Sequence, residues 1–251
     1  MSKKKKEYLQ NNYVNYSYDG HNKGRILGID FTKNPEQREL IRLMNDNATP
    51  VIYCFGNAGT GKTFTAVAAA IDLVKIQKKY NRVFYIREPL EVGKSLGFLP
   101  GDQDEKFSVF TGGLYDNLLS IHEFSGLNIN DMSSVIECLP PQYTRGRSFS
   151  PGSILIIDEA QNLSLDSIQT LLTRVGKFSK VVLLGSFNQI DIKNKTKNNN
   201  DFLISYNILS EIVDENFKLG EVTLVKSERS EFCAIIDDAI TKYKENKNRT
   251  N

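Results

Sequence analysis

Cysteine and histidine are scarce in this sequence: three of one and two of the other in 251 residues. Cys54, Cys138 and Cys233 are scattered, odd in number and form no CxxC pair, which excludes a disulfide scaffold. Such usage fits a reducing cytoplasm. Cys54 and Cys233 sit in apolar patterns and read as small buried residues. His21 and His122 have no neighbours at metal-ligand spacing, so no zinc site is expected. No apolar run approaches the roughly 18–20 residues of a membrane span. The start, MSKKKKEYLQ, is basic but no apolar segment follows it, so it does not read as a secretory signal. Neither sign of charge dominates: 32 Lys and Arg face 30 Asp and Glu, a net charge of +2. That balance alone does not point to nucleic acid. Basic residues do cluster, at 3–6, at Lys193, Lys195 and Lys197, and in KYKENKNR near the end. The plain reading of each cluster is a solvated tail or loop, and the alternative is a surface that tracks phosphates.

The remainder is ordinary for a globular chain, at 40% hydrophobic and 25% charged. The length suits one large domain or two small ones. Residues 1–33 read as a polar tail with one short strand around Ile26, Leu27, Ile29 and Phe31. A domain is expected over 34–244 and a polar tail over 245–251. Asn34 as N-cap and Pro35 at the first helical position open a helix with an apolar face at Leu40, Ile41, Leu43 and Met44. Strands are predicted at 51–55, 82–86, 153–157, 180–185 and 221–225. Helices are predicted at 62–80, 165–175, 202–213 and 230–244. A further helix over FSVFTGGLYDNLLSIHEF is expected to break at Gly112-Gly113. Nearly all-apolar strands alternating with helices predict an α/β fold, a mostly parallel sheet covered on both faces. Ligands in such sheets bind at the carboxyl ends of the strands, here just after Phe55, Ile86, Ile157 and Leu184.

The segment Gly56-Asn57-Ala58-Gly59-Thr60-Gly61-Lys62-Thr63 fits G-x-x-x-x-G-K-[ST] between a predicted strand and a predicted helix. Glycines let the backbone wrap an anion with its N–H groups inward, and the helix start adds a positive dipole end. Lys62 would neutralise phosphate oxygens and Thr63 would hold Mg²⁺. Downstream, SILIIDEAQ puts Asp158 and Glu159 straight after a buried strand. Asp158 would hold Mg²⁺ through water, and Glu159 would orient the attacking water. The competing reading makes Asp158 a helix N-cap. A third strand end, LLGSFNQID, carries Gln189 and Asp191. An extra strand between the P-loop strand and the Asp-Glu strand would bring Gln189 to the γ-phosphate, where an amide can donate to phosphate and accept from water.

These stretches resemble the PhoH family of P-loop ATPases, relatives of superfamily-one helicase motor domains. The likeness runs through GNAGTGKTFTAVAAAIDLV, REPLEVGKSLGFLPGDQDEK, TRGRSFSPGSILIIDEAQN, LLTRVGKFSKVVLLGSFNQID and KSERSEF, roughly over residues 34–240. It implies a RecA-like P-loop NTPase domain that binds ATP with Mg²⁺. It also implies a cytoplasmic, ring-forming homo-oligomer, with a hexamer among the forms considered, and an RNA-linked or helicase-like activity on single-stranded RNA or DNA. Gln37, in NPEQ, would then read the adenine edge rather than face solvent. Where the family has an aspartate after the glycine of the third motif, this chain has Ser186.

One set of motor motifs implies that an arginine finger would come from a neighbouring subunit. Arg174, Arg229 and Arg145 or Arg147 are the candidates, each with a surface ion pair as its plain alternative. Arg87-Glu88-Pro89 ends the second strand, where helicase-like motors face nucleic acid or couple it to the nucleotide. Phe98, in the loop that follows, is weighed as a base-stacking residue against a plain loop anchor. The expected function is Mg²⁺-dependent ATP hydrolysis. The alternatives are a nucleotide-dependent switch with little turnover, which Ser186 favours, and a small-molecule kinase, which the Glu beside Asp158 disfavours.

Overall fold

The computed structural model describes residues 25–88, 103–144, 146–186, 200–213 and 217–228, with a few helical positions beyond, at 232, 235, 236 and 239. Within 103–111 only the helical backbone is described. Gln189, Asp191, Arg145, Arg229, Cys233, Phe98, the three basic clusters and most of the last predicted helix lie outside these residues.

The chain opens with an antiparallel hairpin, β1 (Arg25–Ile26) and β2 (Ile29–Asp30), where a single strand was expected. Leu27 and Gly28 take left-handed backbone to make the turn. Ile26, Leu27, Ile29 and Phe31 are buried in the main core, so the folded unit begins before residue 34. Helix α1 (Pro35–Asn45) starts as read: the Asn34 side chain accepts from the Gln37 N–H and Pro35 takes the first position.

Six strands form one parallel sheet: β3 (Val51–Gly56), β4 (Arg82–Arg87), β5 (Ile136–Leu139), β6 (Ser153–Asp158), β7 (Lys180–Gly185) and β8 (Leu219–Leu224). Their order is β5-β4-β6-β7-β3-β8. In β3, Ile52 and Cys54 join one core while Tyr53 and Phe55 join the other. The same alternation runs through β4, β6 and β7, which is why these strands read as unbroken apolar runs. Burial pushes the Cys54 thiol up to about 12, which suits an inert core residue. Helix α2 (Lys62–Ile71) follows β3 and widens into a π-turn over Asp72–Ile76, so the predicted helix ends before residue 80.

Helix α3 (Gln103–Ser125) runs through Gly112 and Gly113 without the expected break. A glycine weakens a helix by about 1 kcal/mol but does not by itself break it, and at Gly113 the absent Cβ leaves room for the Arg87 guanidinium, one nitrogen of which would lie 3.0 Å from it. Helix α4 (Ile129–Ser133) and strand β5 were not predicted. Only Leu139 of β5 is fully buried, so this edge strand lacks a long apolar run. Helix α5 (Leu165–Leu172) and helix α6 (Asp201–Glu211) lie close to their expected positions. Among the described residues no helix is long and apolar enough to cross a membrane.

Candidate functional site

Strand β7 pairs with β3 on one side and β6 on the other. This is the inserted strand expected between the P-loop strand and the Asp-Glu strand. The carboxyl ends of β3, β6 and β4 thus bring three polar segments to one end of the sheet.

The P-loop is braced from outside. Gln37 is buried, not solvent-facing, and its Nε2 donates to the Thr60 carbonyl at 3.1 Å. The Thr60 hydroxyl donates to the Asn57 carbonyl at 2.9 Å. The Glu228 N–H donates to the Gly59 carbonyl at 2.8 Å, and the Glu228 carboxylate accepts from Asn34 Nδ2 at 2.7 Å. Glu36 accepts from the Val225 N–H at 2.7 Å, so the segment after β8 is tied to both α1 and the P-loop. Gly61 sits at φ 82, and a Cβ there would lie 2.5 Å from Gln37 Nε2. Both the backbone and the close approach require glycine.

Helix α2 begins at Gly61 with no side-chain cap, which leaves its first amides to meet an anion. The Lys62 ammonium donates to the Gly56 carbonyl at 2.8 Å and the Asn57 carbonyl at 2.9 Å. These contacts fold its chain back over the loop that would cradle phosphates.

Asp158 is buried at the end of β6 and does not act as an N-cap. Its Oδ1 accepts from the Thr63 hydroxyl at 2.9 Å, which joins the two motifs across the β7 gap. Its Oδ2 accepts from the Tyr85 hydroxyl at 2.5 Å. Burial, and then the neighbouring carboxylate, hold the Tyr85 phenol well above its ordinary pKa, so it remains a donor. Arg87 is the register partner of Asp158, with Nη1 3.8 Å from Oδ2. Burial is the largest single influence on the Arg87 charge and works against it, but Asp158, Tyr85 and Glu159 together outweigh it and the guanidinium's pKa is raised.

Glu159 leaves the strand with left-handed backbone, φ 51, uncommon for a residue with a Cβ. Its Oε2 accepts from Gln161 Nε2 at 2.5 Å, and Gln161 Oε1 accepts from the Ser186 N–H at 3.0 Å. Ser186 thus enters the site through its backbone. Arg174 lies elsewhere, its Nη1 donating to the Arg147 carbonyl at 3.2 Å.

Tyr85 and Gln161 were not singled out as site residues from the sequence. A residue with a polar hydroxyl two positions before the tip of a strand whose interior is otherwise Val, Phe and Ile was the available signal for the first. Gln161 stood inside the quoted DEAQ segment, but nothing in the spacing connects it to Ser186.

Residues 31–241 match the family described as PhoH-like protein. Protein PhoH2 of Bacillus subtilis (strain 168) is 35% identical over 218 residues, covering 83% of this chain and 47% of that protein. A PhoH-like protein of Mycobacterium tuberculosis (strain ATCC 25618 / H37Rv) is 33% identical over 199 residues, covering 79% of this chain and 55% of that protein. The chain thus spans about half the length of these curated relatives. Among solved structures, the Hef helicase domain of Pyrococcus furiosus is similar with a TM-score of 0.43 at 12% identity, over 79% of this chain and 40% of that one. With a P-loop, an acidic strand end and a strand inserted between them on a parallel sheet, and with this extent of sequence similarity, the chain belongs to the PhoH family.

Proposed function

We propose that this chain binds ATP with Mg²⁺ and hydrolyses it in the cytoplasm, as one subunit of a ring. The observation that carries the reading is the 2.9 Å contact between the Thr63 hydroxyl and Asp158. It brings a hard hydroxyl and a hard carboxylate together beside an uncapped helix start. Such a pair suits Mg²⁺, which keeps most of its waters and takes few protein ligands. Bound there, Mg²⁺ would neutralise charge on the phosphate oxygens.

The chain's own residues then divide the work. Gly56 to Gly61 turn amides toward the phosphates, and Lys62 leaves its two carbonyls for phosphate oxygens. Tyr85 keeps the Asp158 carboxylate oriented. Glu159 orients the attacking water and takes up its proton. Gln189 is assigned to sensing the γ-phosphate. Gln37 is assigned to the adenine edge, and its place against the P-loop supports that reading. A cation for the transferring phosphoryl group would come from Arg174 or Arg229 of a neighbouring copy. Arg87, beside Asp158, supplies a positive charge within the same chain. Turnover would be coupled to single-stranded RNA or DNA.

The test is steady-state ATP hydrolysis with and without single-stranded RNA, beside Lys62→Ala and Glu159→Gln. Loss of nucleotide binding in the first variant is expected. The second should retain binding with turnover reduced by roughly 10²-fold or more. Equal rates for wild type and Glu159→Gln would overturn the assignment. Ser186 in place of the family's aspartate favours one second reading, a switch that binds ATP without turning it over. Fewer than one ATP hydrolysed per protein would select it.

A further inference from the structure

Gln161 is buried in the turn after β6, and its amide is used at both ends. A backbone N–H can only donate, so the Ser186 contact requires the amide oxygen. The amide nitrogen must then face Glu159, and the orientation is fixed by chemistry rather than by choice. Glu159 has meanwhile left the strand in left-handed backbone, which by itself does not aim its carboxylate. A carboxylate has two oxygens, so one can be held while the other accepts from water.

We propose that Gln161 is a positioning residue: its amide ties the Glu159 carboxylate to the backbone at the tip of β7, so that the two move as one unit. The bracket spans β6 and β7, the strands on which the acidic motif and the third motif end. It also gives Ser186 a role that is indifferent to its side chain, because the N–H makes the contact. The inference rests on the reading of Glu159 as the group that orients water.

Two substitutions separate the two ends of the amide. Gln161→Met keeps the length of the side chain and removes both bonds. Gln161→Glu keeps an acceptor for the Ser186 N–H but loses the donor to Glu159. Single-turnover ATP hydrolysis is expected to slow by about 10–100-fold in both variants. The Kd for Mg²⁺-ATP should stay within about twofold, since the P-loop is untouched. In a Glu159→Gln background, adding Gln161→Met is expected to slow the residual rate no further. Melting temperatures identify a variant that fails to fold. If Gln161→Met does so, Gln161→Glu carries the test alone.

A wild-type rate for Gln161→Glu would overturn the proposal, because the donor to Glu159 would then be idle. A parallel loss of rate and Mg²⁺-ATP affinity would also overturn it, as would full additivity with Glu159→Gln. If Glu159→Gln alone hydrolyses ATP at the wild-type rate, the assignment of Glu159 has failed, and that outcome is read without any Gln161 variant.

Discussion

The two ends of the sheet each bury a charged residue on a strand of the same sheet, and they treat it differently. At the amino end, Lys180 opens β7 and is almost wholly buried. Its ammonium donates to the carbonyls of Leu43, Asp46 and Thr49 at 3.1, 2.7 and 2.6 Å. These lie at and just beyond the end of α1, so Lys180 closes that helix and ties it to the sheet. Lys79 adds a bond to the Asn45 carbonyl nearby. Burial, helped by the Lys79 charge, brings the Lys180 pKa down to about 8. At the carboxyl end, Asp158 closes β6, held by the Thr63 and Tyr85 hydroxyls with Arg87 beside it. The partners of Lys180 are main-chain carbonyls in the last turn of α1 and the turn after it, at the end of the sheet opposite the P-loop. The partners of Asp158 are side chains, which can turn toward a ligand. Lys180 is thus placed to hold α1 to the sheet, while Asp158, whose hydroxyl partners can rotate away, is placed to exchange them for a ligand.

Lys180→Met puts the first half of that contrast at risk. It would take a donor from three carbonyls, of which those of Leu43 and Asp46 keep a backbone N–H and that of Thr49 loses its described donor, and a loss of about 2 kcal/mol is expected in urea unfolding. Nucleotide affinity should not change. A stability within about 0.5 kcal/mol of wild type would remove the distinction at the amino end.

Asp158→Asn tests the other half. Mg²⁺-dependent nucleotide affinity, read by titration calorimetry, is expected to fall by roughly 100-fold, while urea unfolding shifts by less than about 1 kcal/mol. A large loss of stability with affinity intact would make Asp158 another structural charge. Tyr85→Phe sharpens the comparison further. It removes one hydroxyl from Asp158 and should weaken Mg²⁺ affinity by about 10-fold, with nucleotide binding in the absence of metal unchanged.

The smallest effect is expected at Asp30, an exposed carboxylate whose partners are all local. The Thr32 hydroxyl and N–H, with Arg25, lower its pKa from an ordinary 3.8 to about 2. The folded-state value lies below the unfolded one, so its contribution is present above about 3.8 and is lost as pH falls through about 2. A carboxyl NMR titration of Asp30 in wild type and Thr32→Ala checks this. The midpoint should rise in the variant while Mg²⁺-ATP binding stays the same.

Much of the fold was legible because its signals are local. Both-face burial writes β3, β4, β6 and β7 as apolar runs, and Asn34-Pro35 marks the start of α1 by its chemistry. β5 escaped because an edge strand needs no such run, and the α3 break was misplaced because glycine was read as a stop. For the site, Gly56–Thr63 and Asp158-Glu159 were readable as motifs, since a phosphate cradle and an acidic strand tip are each built from consecutive residues.

Sequence alone therefore determined the α/β class, the parallel sheet and the segments that carry the candidate chemistry. The tertiary structure decided how those segments meet: Tyr85 and Thr63 on Asp158, Gln37 and Glu228 on the P-loop, Gln161 between Glu159 and Ser186, and Lys180 beneath α1. The reason is physical. Periodicity and motif spacing record what each residue needs from its near neighbours. A hydrogen bond between residues far apart in the chain depends on strand order and register, which no single segment encodes.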